Sequence, residues 1–172
     1  MASGTPGPAG KLEVRRTIAA PRERVFEAFA RQEQMDRWMC RDAASHVIKY
    51  LQFDFRVGGG FILDIRTPEG DIYIHHSTYI EIKRPEKIAF TWNLEHTDAA
   101  GHKAMLHPED TIVTVELLAR GKSTEVVLTH DLGAAAAKER ADYQRGWTGC
   151  LEKLAEAVQN QVSGERSQIT GV

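Results

Sequence analysis

Two histidines sit where an imidazole could work away from bulk water. His130 shares strand parity with Val126, Leu128 and Leu132, and His76 with Ile72, Ile74, Ile80 and Ile82. Alternation at period 2 sends one parity to one face of a sheet, so both side chains are expected to point inward. Burial disfavours the imidazolium. The neutral ring donates from one nitrogen and accepts at the other, which suits it to orienting a polar ligand group. The competing reading is a core histidine satisfied by backbone or by a neighbour. Tyr143 is the best inward hydroxyl, one helical turn before Trp147. If the chain were an enzyme, a His130–Tyr143 pair would carry the proton transfers. No carboxylate supports that pair, because Glu125 and Asp131 have the parity opposite to His130 and should face outward. There is no Ser-His-Asp order or nucleophile elbow, and neither Cys40 nor Cys150 has a basic sequence neighbour that suggests activation. No catalytic residue is therefore assigned.

Other clusters read more plainly. His96, His102, His107 and Asp110 crowd one polar stretch, but their spacing follows no zinc pattern, and a solvated loop is expected there. Gly58-Gly59-Gly60 is followed by a strand and no Lys-Ser/Thr, so it is a device for a sharp reversal and not a phosphate cradle. No metal and no organic cofactor is called for. Trp38, Trp92 and Trp147 each offer a broad apolar face and one N–H donor. In a ligand site they would stack on a ring-bearing molecule; otherwise they are core packing.

The elements that must position these groups follow from periodicity. Leu12, Val14 and Ile18 suggest a first strand over about 12–19, and Pro21 opens a short helix over 21–30. A second short helix follows from about Gln32 to Met39, with Trp38 near its end. The middle of the chain reads as strands around Val47–Phe53, Phe61–Arg66, Ile72–Ile82, Ile88–Leu94, Val113–Leu117 and Val126–Leu132, with a long polar loop over 95–110. From about Gly133 the period becomes 3.6. Tyr143, Trp147, Leu151, Leu154 and Val158 form one stripe of a helix over about 135–160. Strands joined by tight turns argue for an antiparallel sheet, and the last helix is the only element long enough to cover its apolar face. The expected architecture is α+β: a curved antiparallel sheet of about seven strands wrapped round a long C-terminal helix, with two short helices between strands 1 and 2. A cavity can form beneath that helix. Residues 1–10 are expected to be a disordered tail, 11–161 one domain and 162–172 a polar tail.

The order of these segments resembles the helix-grip fold of the START-like (SRPBCC) superfamily, and more closely the family of activators of heat-shock protein 90 ATPase. The matching residues are Ala20-Pro21 with Val25-Phe26 and Phe29, Trp38, Val57-Gly58-Gly59-Gly60-Phe61, Arg84-Pro85-Glu86-Lys87-Ile88, Phe90-Thr91-Trp92, Thr111–Glu116, Leu128-Thr129-His130, and Gly146-Trp147 with Leu151 and Leu154. One departure stands out. Many relatives carry a glycine where this chain reads His75-His76-Ser77 before Tyr79, and bulkier residues there would narrow or polarise the cavity.

Composition limits the functions. The 172 residues carry a formal net charge of -2, with 42% hydrophobic and 27% charged residues. That balance fits a globular domain and opposes broad nucleic-acid binding. No apolar run approaches the roughly 20 residues of a membrane helix. The N-terminus has no secretory h-region, so cytoplasmic residence is expected. The leading expectation is a binding protein for a small hydrophobic, ring-bearing molecule. Its site would comprise Trp38, Phe61, His76, Phe90, Trp92, His130, Tyr143, Trp147 and Leu151. Two alternatives stand: a co-chaperone-like interaction module, which the resemblance implies, and a cyclase or hydrolase using the same cavity. A monomer and a homodimer both fit.

Overall fold

A computed structural model describes residues 10–39, 46–105, 111–133 and 139–169. The chain opens with strand β1 (Lys11–Ile18), then helices α1 (Arg22–Ala30) and α2 (Gln32–Met35). Strands β2 (Val47–Phe53), β3 (Gly60–Arg66), β4 (Ile72–Lys83), β5 (Lys87–Thr97), β6 (Lys103–Met105), β7 (Thr111–Arg120) and β8 (Ser123–Asp131) follow, and α3 (Arg140–Ile169) closes the chain. The strands form one curved antiparallel sheet in the order β1-β8-β7-β5-β4-β3-β2, with β6 paired to β5 off this path.

Alternation explains the inner face. Leu12, Val14 and Ile18 of β1, Phe61 and Leu63 of β3, Phe90 and Trp92 of β5, and Val126, Leu128 and His130 of β8 are all buried. Across this face lies α3, whose Trp147, Leu151, Leu154 and Val158 are at most 4% exposed. Burying each such side chain contributes about 1.5–3 kcal/mol. The backbone of α3 approaches β1 and α1 most closely. Over β3–β5 the interval is spanned by side chains, as where the Trp92 and Trp147 rings meet at 5.1 Å.

Three details depart from expectation. A short hairpin replaces part of the long loop: Asp98 accepts from the backbone N–H groups of Ala100 and His102, and Gly101 turns at φ 90°, which returns the chain as β6. The helix α3 continues through polar residues to Ile169. Val162 packs on the core, Gln159 accepts from the Ala19 N–H, and Glu165 pairs with Arg24. The third is an irregularity in β4, where Tyr79 pairs with Phe90 but Glu81 pairs with Ala89. Ile80 is the extra residue and is exposed. Such a bulge exchanges the inward and outward parity on its two sides. Among the described residues, no helix is long and apolar enough to cross a membrane.

Candidate functional site

The inner face of β4 is set by that bulge. Upstream of it His75, Ser77 and Tyr79 point inward, 8%, 6% and 2% exposed. His76 is therefore on the outer face, exposed, with its Nε2 3.8 Å from Glu95. The expectation that His76 lines the interior is corrected. The run Ile72, Ile74, Ile80, Ile82 suggested a single parity, but it crosses the irregularity, and only Ile82 packs against the core. Ile72 and Ile74 lie half-buried on the outer face.

The turn between β2 and β3, which also bonds to β4, depends on its glycines. The Tyr79 N–H donates to the Gly59 carbonyl and the Gly58 N–H to the Tyr79 carbonyl, both at 2.9 Å. A Cβ on Gly60 would lie 1.9 Å from the Ser77 carbonyl oxygen. No side chain fits there, which gives this run its structural role.

Next to this row stand aromatic rings. Phe61 contacts Tyr79, Phe90 and Trp92 with centroids 5.8, 5.5 and 6.5 Å apart. His75 lies over Trp92 at 4.6 Å, and Phe55 meets Tyr79 at 4.9 Å. From α3, Trp147 meets Trp92, and Tyr143 meets His130 at 5.0 Å. Leu151 is buried one turn further along. Of the residues expected at the site, Phe61, Phe90, Trp92, His130, Tyr143, Trp147 and Leu151 thus converge on one interior. Trp38 does not face an opening. It is fully buried against α1, edge-on to Phe29 at 4.7 Å, with its indole N–H donating to the Ala28 carbonyl at 2.9 Å.

His130 is 0% exposed and bonded at both ring nitrogens. The Trp147 indole N–H donates to Nδ1 at 3.1 Å. An indole can only donate, so Nδ1 carries no proton and the ring is the Nε2–H tautomer. Nε2 then donates to the Thr111 hydroxyl at 2.8 Å, which in turn donates to the Trp92 carbonyl at 3.0 Å. Register makes this chain of bonds possible, since Thr111 pairs with Trp92 and Val113 with His130.

The remaining polar groups differ. Ser77 Oγ and Tyr79 Oη are buried without a hydrogen-bond partner. Trp92 Nε1 makes no well-formed bond either, although its N–H lies close enough to the Tyr143 hydroxyl to favour the phenolate. Burial pushes the Tyr79 phenol up from its ordinary value. Burial also raises that of Tyr143, helped by the negative charge of Glu139 and opposed by Trp92. Both phenols are neutral donors at ordinary pH. Sequence reasoning missed His75, Ser77, Tyr79 and Thr111. The signal for the first three was their own alternation with Tyr73, masked by the isoleucines between them. A surface groove of about 540 Å³ runs between Arg37 and the Lys153–Gln161 stretch of α3, away from these rings, and a smaller one of about 120 Å³ lies over Gly58–Gly60, His76 and Ser77. His107 and Asp110 fall outside the described residues, and His96 and His102 face different carboxylates, Asp71 and Asp98.

A curved antiparallel sheet gripping a long C-terminal helix, with two short helices after the first strand, defines the helix-grip fold of START-like proteins. Solved structures share it. Protein CV1439 from Chromobacterium violaceum superposes with a TM-score of 0.70 at 23% identity, covering 87% of this chain and 97% of that one. A protein from Arthrobacter aurescens gives 0.75 at 16% identity, covering 92% and 91%. Mll3558 from Rhizobium loti gives 0.63 at 25% identity, covering 91% and 99%. Residues 19–159 match the family described as "Activator of Hsp90 ATPase homolog 1-like protein", and the chain belongs to that family. No curated protein matches it in sequence.

Proposed function

We propose that this protein binds a small, largely apolar, ring-bearing molecule between the inner face of β3–β5 and α3. The observation that carries this reading is the pair of hydroxyls, Ser77 Oγ and Tyr79 Oη, buried among aromatic rings without partners. An unpaired buried polar group costs about 1–3 kcal/mol, and native chains rarely keep one. A ligand that bonds to these hydroxyls removes that cost. Apolar walls with a few convergent polar groups are the usual make-up of small-molecule sites.

The same geometry argues for binding over catalysis. His130 has no ring nitrogen left for a substrate, because both are committed to Thr111 and Trp147. It is a positioning residue that fixes the Trp147 indole over Trp92. The test is native mass spectrometry of the protein purified from its own source, combined with thermal melts against uncharged two-ring compounds. A co-purifying molecule released on denaturation, or a melting temperature that rises with ligand concentration as linkage demands, is the expected result. A bare mass together with no thermal shift across the panel refutes the reading. The family description supports a second use, in which the outer surface engages a chaperone. A chaperone complex unaffected by occupation of the interior would mark that use.

A further inference from the structure

The polar groups that the site leaves unpaired also define which molecule it takes, an inference that rests on the binding function proposed above. The hydroxyls of Ser77 and Tyr79 can each donate or accept a hydrogen bond. Both residues are at least nine-tenths buried. A partner with an acceptor satisfies both as donors. That partner does not bring a formal negative charge, because among the described residues nothing inside would balance one. Among the described residues, no Lys or Arg belongs to the buried interior. His130 is held neutral by the donor at its Nδ1. The charge that reaches the site is Glu139, whose carboxylate acts on the Tyr143 hydroxyl with the sign that repels an anion. A carboxylate moved into this interior would lose its hydration with no cation to replace it.

We propose that the site selects an uncharged, ring-bearing carbonyl compound, its rings against Phe61, Trp92 and Trp147 and its carbonyl oxygen accepting from the Ser77 and Tyr79 hydroxyls. Fatty acids and other carboxylates are excluded as ligands.

Three probes of similar shape test this: 2-acetylnaphthalene, naphthalene and 2-naphthoate, measured by equilibrium dialysis at pH 7 against wild type and the Ser77→Ala/Tyr79→Phe double variant. For wild type the ketone is expected to bind about 5-fold tighter than naphthalene, within the range of one net hydrogen bond. Naphthoate is expected to bind at least about 10-fold weaker than the ketone, since a buried unpaired charge costs more than a neutral group. In the double variant the ketone advantage over naphthalene should fall below about 2-fold, with a melting temperature no lower than that of wild type to show an intact fold. Naphthoate binding as tightly as the ketone overturns the proposal, as does a ketone preference that survives in the double variant. Equal binding of ketone and naphthalene removes this selectivity while leaving the binding function standing. Failure of all three probes to bind removes both.

Discussion

Replacing Tyr79 by Phe should stabilise the ligand-free protein. A buried tyrosine hydroxyl is ordinarily bonded, and its removal then costs about 0.5–1.5 kcal/mol. Here Oη is buried with no partner, and the ring is held by Phe55 at 4.9 Å, Phe61 at 5.8 Å and Phe90 at 6.1 Å. All three ring contacts survive in phenylalanine. What disappears is an oxygen that lost its water on folding and gained nothing, worth about 1–3 kcal/mol. For a chain of this size each kcal/mol moves the melting temperature by about 2–4 °C. The expected gain is therefore about 2–12 °C, read by circular dichroism on protein stripped of ligand by refolding. The sign is the discriminator. A melting temperature lowered by more than a degree would mean that the hydroxyl is bonded in the free protein, and the argument for a ligand at that position would fail.

Further outcomes follow from other contacts. Gly60→Ala places a methyl group 1.9 Å from the Ser77 carbonyl, so the β3–β4 crossing must shift; a loss near 3 kcal/mol, or about 6–12 °C, is expected in thermal melts, and a neutral result would refute the close approach. Thr111→Val strips the acceptor from His130 Nε2 and the donor from the Trp92 carbonyl, so it should lower the melting temperature by at least about 4 °C, while Thr111→Ser should keep most of it. The Nε2–H tautomer of His130 should appear directly in nitrogen-15 spectra of the imidazoles; a proton on Nδ1 would contradict the Trp147 bond. Glu27 is partly desolvated, which raises its pKa, but Arg84 and Arg31 outweigh this and hold its carboxyl below the ordinary value of 4.5. A lowered folded value means that these pairs stabilise the fold above pH 4.5 and lose that contribution as the pH falls through the folded value. Glu27→Gln should thus be less stable than wild type by about 0.5 kcal/mol at pH 7, and denaturant titrations should show the gap closing in acid.

How far the sequence revealed this molecule depends on how regular each element is. The segment Val126–Leu132 alternates without interruption, so His130 was placed correctly from parity alone. The stripe from Tyr143 to Val158 keeps helical spacing, and it is buried from Trp147 onward, with Tyr143 half-buried at its start. In β4 the local rule held on each side of Ile80 but changed sign across it, and nothing in the residue types marks the extra residue. Isoleucine outside and serine, histidine and tyrosine inside invert the usual hydrophobic sorting, which is why the polar row was hidden. The hairpin to β6 escaped notice because three residues are too few to show a period. The end of α3 beyond residue 160 has no apolar stripe to mark it, and the contact that holds it, Glu165 to Arg24, joins residues 141 positions apart in the chain.

The extra residue in β4 has a consequence for how the inner face can change. Removing Ile80 while the turn beyond it stays in register would rotate everything upstream by half a step. Ile72, Ile74 and His76 would then swing toward the rings, and His75, Ser77 and Tyr79 toward solvent. A single codon gained or lost would rewrite the lining wholesale without altering sheet order or the gripping helix. The inner face would thus change all at once, without stepwise substitution.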